Sequence, residues 1–187
     1  MRKQKQLYVA YGSDLDRAIM AHRCPTAKPI AKGWLHDYRL VFQGNPFGAR
    51  ANVIPEDGQE VPVVIWELTP KDEASLDRYL GLDSSKEFIE IEVAGEMKEA
   101  LIYFASSESF GVPTDAHLDA VAQGYDDFNF PVSYLNDALL YSLERRPNWW
   151  DAGRALNDIV LDEQTNEILD DSFDEWLKRH AEPEGAE

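Results

Sequence analysis

Residues 7–15 read LYVAYGSDL. Leu7 to Tyr11 form an unbroken apolar and aromatic run, the pattern of a strand buried on both faces. Gly12 and Ser13 end the run, and Leu15, Ile19 and Met20 follow at helical spacing. Ser13 with Asp16 three residues on is the spacing of a capping box, with aspartate in the usual glutamate place. A strand, a glycine turn and a helix start together aim backbone N–H groups and partial positive charge at one spot, which is a physical anion site. A tight turn without a ligand satisfies the same pattern.

The rest of the chain supplies what such a strand would pair with. WLHDYRLVFQG, residues 34–44, reads as a long strand through Leu35, Tyr38, Leu40 and Phe42, after the two prolines of CPTAKPIAKG mark a loop. ANVIP and EVPVVIWEL read as two further strands joined by a turn at EDGQ, residues 56–59. TPKDEASLDRYLG, residues 69–81, is a helix with a threonine cap, proline in its first turn and glycine at its end. EFIEIEVAGEMKEALIYFAS alternates on both sides of AGEMK, as a hairpin does. From Pro113 the period changes: Leu118, Val121 and Tyr125, then Tyr134, Leu135, Ala138, Leu139 and Leu143, fit two amphipathic helices around NFPVS.

A chain of 187 residues with 44% hydrophobic content holds one substantial core. We therefore expect one α+β domain over residues 1–146. The composition shifts after Pro147, and residues 147–187 are expected to be an acidic C-terminal extension. It would carry a small hairpin (DIVL, NEIL), a short helix near Trp176 and a disordered tail. Trp149 and Trp150 are read as docking that extension, with a protein partner met through the Trp149, Trp150 and Trp176 region as second choice.

Thirty-five acidic against 18 basic residues give a formal charge of -17, which opposes binding to phosphate backbones, so no nucleic acid is expected as a direct ligand. There is no apolar stretch of membrane-spanning length and no secretory leader pattern, and the single cysteine, Cys24, suits a reducing compartment. A cytoplasmic protein with no membrane role is the expectation. His22, His36, His117 and His180 are scattered, which argues against a metal site; no cofactor is expected, and there is no G-x-S-x-G elbow. Cys24 is read as a packed thiol rather than a nucleophile. Asp77, Asp83 and Glu87 matter for acid–base chemistry only if they line a cavity.

Four segments, YVAYGSDLDRAIMAHRCPTA, WLHDYRLVFQG, ANVIPEDGQEVPVVIWELTPKDEASLDRYLGL and EALIYF, follow in an order and spacing that resemble the gamma-glutamylcyclotransferase-like family, over about residues 7–143. The resemblance implies a small mixed β-barrel with flanking helices. It also implies a ligand-binding loop, here Tyr8, Val9, Ala10, Tyr11, Gly12, Ser13 and Asp14, whose N–H groups cradle the α-carboxylate of a gamma-glutamyl or similar amino-acid-like ligand. In the family the substrate's own α-amino nitrogen attacks its γ-carbonyl, releasing 5-oxoproline, and a glutamate serves as general base.

In the matching place this chain reads LDRYLG, and the glutamate position is Leu80. A leucine cannot exchange a proton, and losing a general base typically forfeits ~10²–10⁴-fold in rate. Asp14 stands where the family usually has asparagine, and Phe88 about where a tyrosine is common; an aspartate there is expected to repel a ligand carboxylate. Three readings stay open. In the first the cavity is kept as a binding module without cyclotransferase chemistry, in the second Asp77 or Glu87 substitutes as base, and in the third the acidic surface acts as an inhibitor or decoy of another macromolecule.

Overall fold

The computed structural model describes residues 5–45 and 48–146; every expectation made for residues 147–187, including Trp149, Trp150 and Trp176, lies outside the described residues. In chain order the elements are β1 (Gln6–Ala10), α1 (Arg17–Arg23), β2 (Lys28–Gln43), β3 (Arg50–Leu68), α2 (Pro70–Leu80), β4 (Ser84–Val93), β5 (Glu96–Ala105), α3 (Asp115–Phe128) and α4 (Ser133–Arg145). The five strands make one mixed sheet in the order β2-β3-β1-β5-β4. The opening stretch is its middle. β1 runs antiparallel to β3, with Tyr8 opposite Trp66, and parallel to β5, with Tyr8 opposite Leu101. Neighbours on both sides account for its apolar run, since Val9 and Ala10 are fully buried.

The expected α+β class holds, whereas the expected barrel does not close. β2 and β4 remain the two edges of the sheet. They come close at one point, where a side chain on Gly33 would stand 3.7 Å from the Glu92 carbonyl. The β2 edge is irregular, with register shifts between Pro29 and Ala31 and between His36 and Tyr38, and a closing ladder needs a regular row of N–H and C=O groups.

Three local expectations also change. The expected loop at 24–33 is shorter, because β2 starts at Lys28; Pro29 is tolerated on an edge strand, where no second ladder needs its missing N–H. EDGQ does not turn a hairpin. Residues on both sides of it pair with β2, His36 with Glu60 and Tyr38 with Pro55, so 56–59 bulge opposite Asp37. That protrusion is held by Asp37, whose carboxylate accepts from the Gly58 N–H at 2.9 Å, and by a two-pronged Arg39–Glu56 pair at 2.6 and 3.0 Å. Finally, Ser13 does not cap α1. Residues Ser13–Leu15 make a 3-10 turn, and Asp16 caps the helix by accepting from the N–H groups of Ala18 and Ile19 at 2.7 and 3.0 Å.

The expected helix at 69–81 is present. Thr69 and Asp72 form a reciprocal capping box, Pro70 opens α2, and Gly81 ends it at φ +59°, where a side chain would be strained. The hairpin is present too, closed by Ala94 and Gly95 at positive φ, the geometry of a tight two-residue turn.

α4 lies on β2, where the Ser142 hydroxyl accepts from the Phe42 N–H at 2.7 Å. α3 lies on the 3-10 turn after β1, and Gly124 sets how closely. A side chain there would meet Leu15 Cβ at 2.2 Å and the Asp16 backbone nitrogen at 2.8 Å, distances at which something must shift. Gly124→Ala should therefore lower the stability by about 1–3 kcal/mol through forced retraction of α3. A denaturant titration showing a lower midpoint with unchanged slope checks this.

Candidate functional site

Just beyond the end of β1, Tyr11, three strands and α2 contribute polar groups to one corner. The Tyr11 hydroxyl donates to the Tyr103 carbonyl on β5 and lies 3.3 Å from Asn52 Oδ1 on β3. That Asn52 oxygen also accepts from the Ala105 N–H at 2.9 Å, and Asn52 Nδ2 donates to Gln43 Oε1 on β2 at 2.7 Å. The Tyr103 hydroxyl donates to Asp77 of α2 at 2.7 Å. Burial pushes both phenols well above the ordinary tyrosine range, helped at Tyr11 by the Asp14 charge and at Tyr103 by Asp77, so both stay protonated donors.

The turn beyond Tyr11 is built by close packing. Gly12 has an ordinary negative φ of -114°, but a side chain on it would stand 3.2 Å from Ala51 Cβ, so the glycine serves the approach of loop to strand. The turn's own ladder uses the N–H groups of Leu15 and Asp16, on the carbonyls of Gly12 and Ser13, and leaves those of Ser13 and Asp14 outside it. Asp14 is buried, yet its carboxylate accepts from the Tyr8 hydroxyl at 2.7 Å and pairs with the Arg23 guanidinium. Arg23 also lies 3.5 Å above the Tyr79 ring. The charge of Asp14 is thus paired at contact distance, which lessens the repulsion of a ligand carboxylate expected from an unpaired aspartate there.

Two joined compartments open at this corner. The smaller, of about 60 Å³, is lined by Gly12, Ser13, Asp14, Arg50, Tyr79 and His117, among others. The larger, of about 620 Å³, extends over Gln43, Asp83, Ser84, Ser106 and Ser107. Tyr11, Arg50, Ala51, Leu80 and Tyr103 line both. The first has room for a carboxylate-sized group, about two waters at roughly 30 Å³ each, and the second lies within the usual range for small-molecule sites.

Cationic character at the junction comes from Arg50, which makes no ion pair with a described carboxylate. His117 reaches the same compartment from α3, its ring edge-on to Phe42. Its Nε2 accepts the Ala51 N–H at 3.0 Å, so in the neutral ring the proton sits on Nδ1. Burial, with the charges of Arg50 and Arg23, pushes the imidazole down to about 4. At neutral pH His117 is a neutral donor rather than a cation or a base.

The seven loop residues named from the sequence divide. Tyr8, Tyr11, Gly12, Ser13 and Asp14 line the smaller compartment, whereas Val9 and Ala10 are core residues of β1 that line neither. Leu80, at the last position of α2, lies on the boundary of the two compartments. The two candidate substitute carboxylates line neither. Asp77 sits behind Tyr103 and is bound by Lys86 Nζ at 2.8 Å; burial would raise it, but the hydrogen bonds from Lys86 and Tyr103 outweigh burial and hold it below the ordinary carboxylate range. Glu87 is exposed on β4 and accepts from the Ser85 hydroxyl at 3.1 Å. Asp83, which is exposed, is the acidic residue that lines the larger compartment among the described residues. Phe88 is 53% exposed on the same strand as Glu87 and lines neither compartment.

Cys24 is buried away from the cavity, its thiol donating to the Asp72 carbonyl, and burial with the charges of Asp72 and Asp14 pushes it up to about 12. Among the described residues no three His, Cys, Asp or Glu side chains are grouped as metal ligands, and no helix is long and apolar enough to cross a membrane. Arg50 escaped the sequence reading. Its signal was its isolation, as the only lysine or arginine between Leu40 and Pro70, but nothing in the one-dimensional pattern showed that it faces a cavity.

A mixed sheet with a two-part polar cavity at the end of its central strand defines an α+β domain whose cavity has the size of a small-molecule site. Residues 8–125 match the model of the family described as gamma-glutamyl cyclotransferase, AIG2-like, and the chain belongs to that family. The chain is 27% identical over 141 residues to a gamma-glutamylcyclotransferase of Bos taurus, covering 68% of this chain and 74% of that protein. Among solved structures, a gamma-glutamyl cyclotransferase superposes with a TM-score of 0.64 at 20% identity, over 90% of this chain and 99% of the other. YkqA from Bacillus subtilis does so with a TM-score of 0.63 at 19% identity, over 77% of this chain and 56% of its own. At those identities the two structures show a shared fold.

The lowered His117 value has a measurable consequence. An unfolded histidine takes up its proton near 6.5, whereas His117 in the folded chain does so only near 4. Between those values the unfolded chain binds the extra proton, so this residue's contribution to stability is whole above about 6.5 and is lost as pH falls towards 4, at no more than about 1.4 kcal/mol per pH unit. His117→Gln should flatten the stability profile in that window, as followed by denaturant titrations at stepped pH.

Proposed function

We propose that the protein binds a gamma-glutamyl or closely similar amino-acid-like ligand in this cavity and does not turn it over by glutamate-based cyclotransferase chemistry. The carrying observation is that Leu80 lines the junction of the two compartments, the place from which the family resemblance would have a glutamate act. A hydrocarbon there cannot take the proton that the attacking α-amino nitrogen must lose. The anchor, by contrast, is intact. Arg50 supplies a cation without a described counter-charge, Ser13 and Asp14 present N–H groups outside the turn's ladder, and His117 adds a neutral donor. Together they suit a carboxylate in the smaller compartment, with the rest of the ligand in the larger one.

The second reading, an active enzyme with a substitute base, is favoured by one observation. Asp83 follows Leu80 on the Gly81–Asp83 turn and lines the same compartment. Asp77 is less suited, because Lys86 and Tyr103 hold its carboxylate in the ionised, poorly basic state. We place the protein in the cytoplasm, in keeping with the protonated, buried thiol of Cys24.

Calorimetry with gamma-glutamyl dipeptides and gamma-glutamylamines should show saturable binding by the wild type, and a 5-oxoproline assay no release. Leu80→Glu should gain release. Wild-type release that disappears in Asp83→Asn would replace this reading with the second. Arg50→Ala should weaken binding by about 10–100-fold, the value of a charge-assisted hydrogen bond to a carboxylate, with the unfolding midpoint little changed.

A further inference from the structure

Away from the cavity, the protrusion of β3 opposite Asp37 carries a reactive pair of residues. Asp57–Gly58 is the one Asp-Gly dipeptide in the sequence, and there is no Asn-Gly. Both residues are exposed, and a side chain on Gly58 would meet nothing within 4 Å. A glycine nitrogen in such open space has no side chain beside it to hinder attack on the preceding carboxyl group.

We infer that Asp57 is a site of spontaneous isoaspartate formation, and that Asp37 holds the reaction in check by keeping the attacking nitrogen hydrogen-bonded. The reaction needs water alone. The Gly58 nitrogen attacks the carbon of the protonated Asp57 carboxyl; an N–C bond forms, the C–OH bond breaks, and the hydroxyl leaves as water with the amide proton. Water then reopens the succinimide at either carbonyl. Opening at the side-chain carbonyl restores aspartate. Opening at the main-chain carbonyl leaves the chain running through the side-chain carbon, one carbon longer, with a free α-carboxylate.

The protrusion is built against this step. The Gly58 N–H donates to Asp37 Oδ1 at 2.9 Å, so the nitrogen must give up a carboxylate acceptor before it can attack. Asp37 is available for that bond because the β2–β3 register skips from His36 to Tyr38 and leaves it out of the ladder. It takes φ +61°, a left-handed conformation that aspartate tolerates better than most side chains. The chain on both sides of Asp57 is pinned as well, which resists the rotation that would bring its carboxyl to Gly58. Glu56 is held by Arg39 at 2.6 and 3.0 Å, and Glu60 accepts from the Tyr134 hydroxyl at 3.0 Å.

Storage of the full chain in mildly acidic buffer, followed by isoaspartyl methyltransferase labelling and peptide mapping, measures the product. The folded wild type should form it slowly, and the wild type unfolded in urea fast. Asp37→Gly removes the acceptor and relieves the positive φ, so it should fold, as its unfolding midpoint checks. It should form isoaspartate about tenfold faster than the wild type, the value of a hydrogen bond to a charged acceptor. Asp37→Asn keeps a neutral acceptor and should fall between the two. In urea all three should react at one rate, and Asp57→Glu should abolish the label at this site. A folded Asp37→Gly chain that reacts no faster than the wild type overturns the inference, and a slower one shows Asp37 acting as the base that removes the amide proton. Amide hydrogen exchange at Gly58 of the wild type needs no variant: slow exchange supports the shielding bond, and exchange as fast as in urea overturns it.

Discussion

A carboxylate withdrawn from water needs compensating partners, and in this protein that requirement falls on Asp14. Its partners come from different parts of the N-terminal segment: Tyr8 from β1 and Arg23 from the end of α1. Satisfying it fixes the strand, the turn and the helix as one unit. Arg23, so placed, lies on the Tyr79 ring and ties that unit to the end of α2, where Leu80 meets the cavity. The same carboxylate therefore organises the wall of the cavity it lines. Removing Arg23 would do more than delete a surface charge, because it would leave Asp14 buried and half-compensated.

Much of the fold was legible in the sequence because local and non-local forces agree there. The run from Leu7 to Tyr11 is apolar on both sides because its strand has neighbours on both sides, and the Thr69, Pro70 and Gly81 signals bound a helix that tertiary packing does not contest. The errors lie where two pairings compete. EDGQ has good turn chemistry, yet β2 is long enough to pair with the residues on both sides of it, so the chain bulges rather than reverses. Likewise Asp16 takes the place of Ser13 as the helix cap because Ser13–Leu15 form a 3-10 turn, against which α3 packs closely at Gly124.

The cavity was only partly legible. Gly12 and Ser13 are contiguous and advertise a turn, so the loop could be found from its own letters. Arg50, Asp83, Tyr103 and His117 come from four separate elements and meet only in three dimensions. The family resemblance placed Val9 and Ala10 in the loop's company, but in a central strand burial on both faces keeps them from lining the cavity.

The position of β1 has one more consequence, which concerns time rather than geometry. β1 precedes every other described strand along the chain yet is the middle of their sheet, and its parallel partner across Tyr8 is Leu101 near the end of β5. At common elongation rates that partner follows on the order of ten seconds later. Until then an apolar strand has one edge it cannot satisfy, and β3 can cover only the other. The contact that completes the sheet is also among the most distant along the chain, so its loop must close late and at high entropic cost. The cavity, whose walls include the ends of both strands, is therefore among the last features to form.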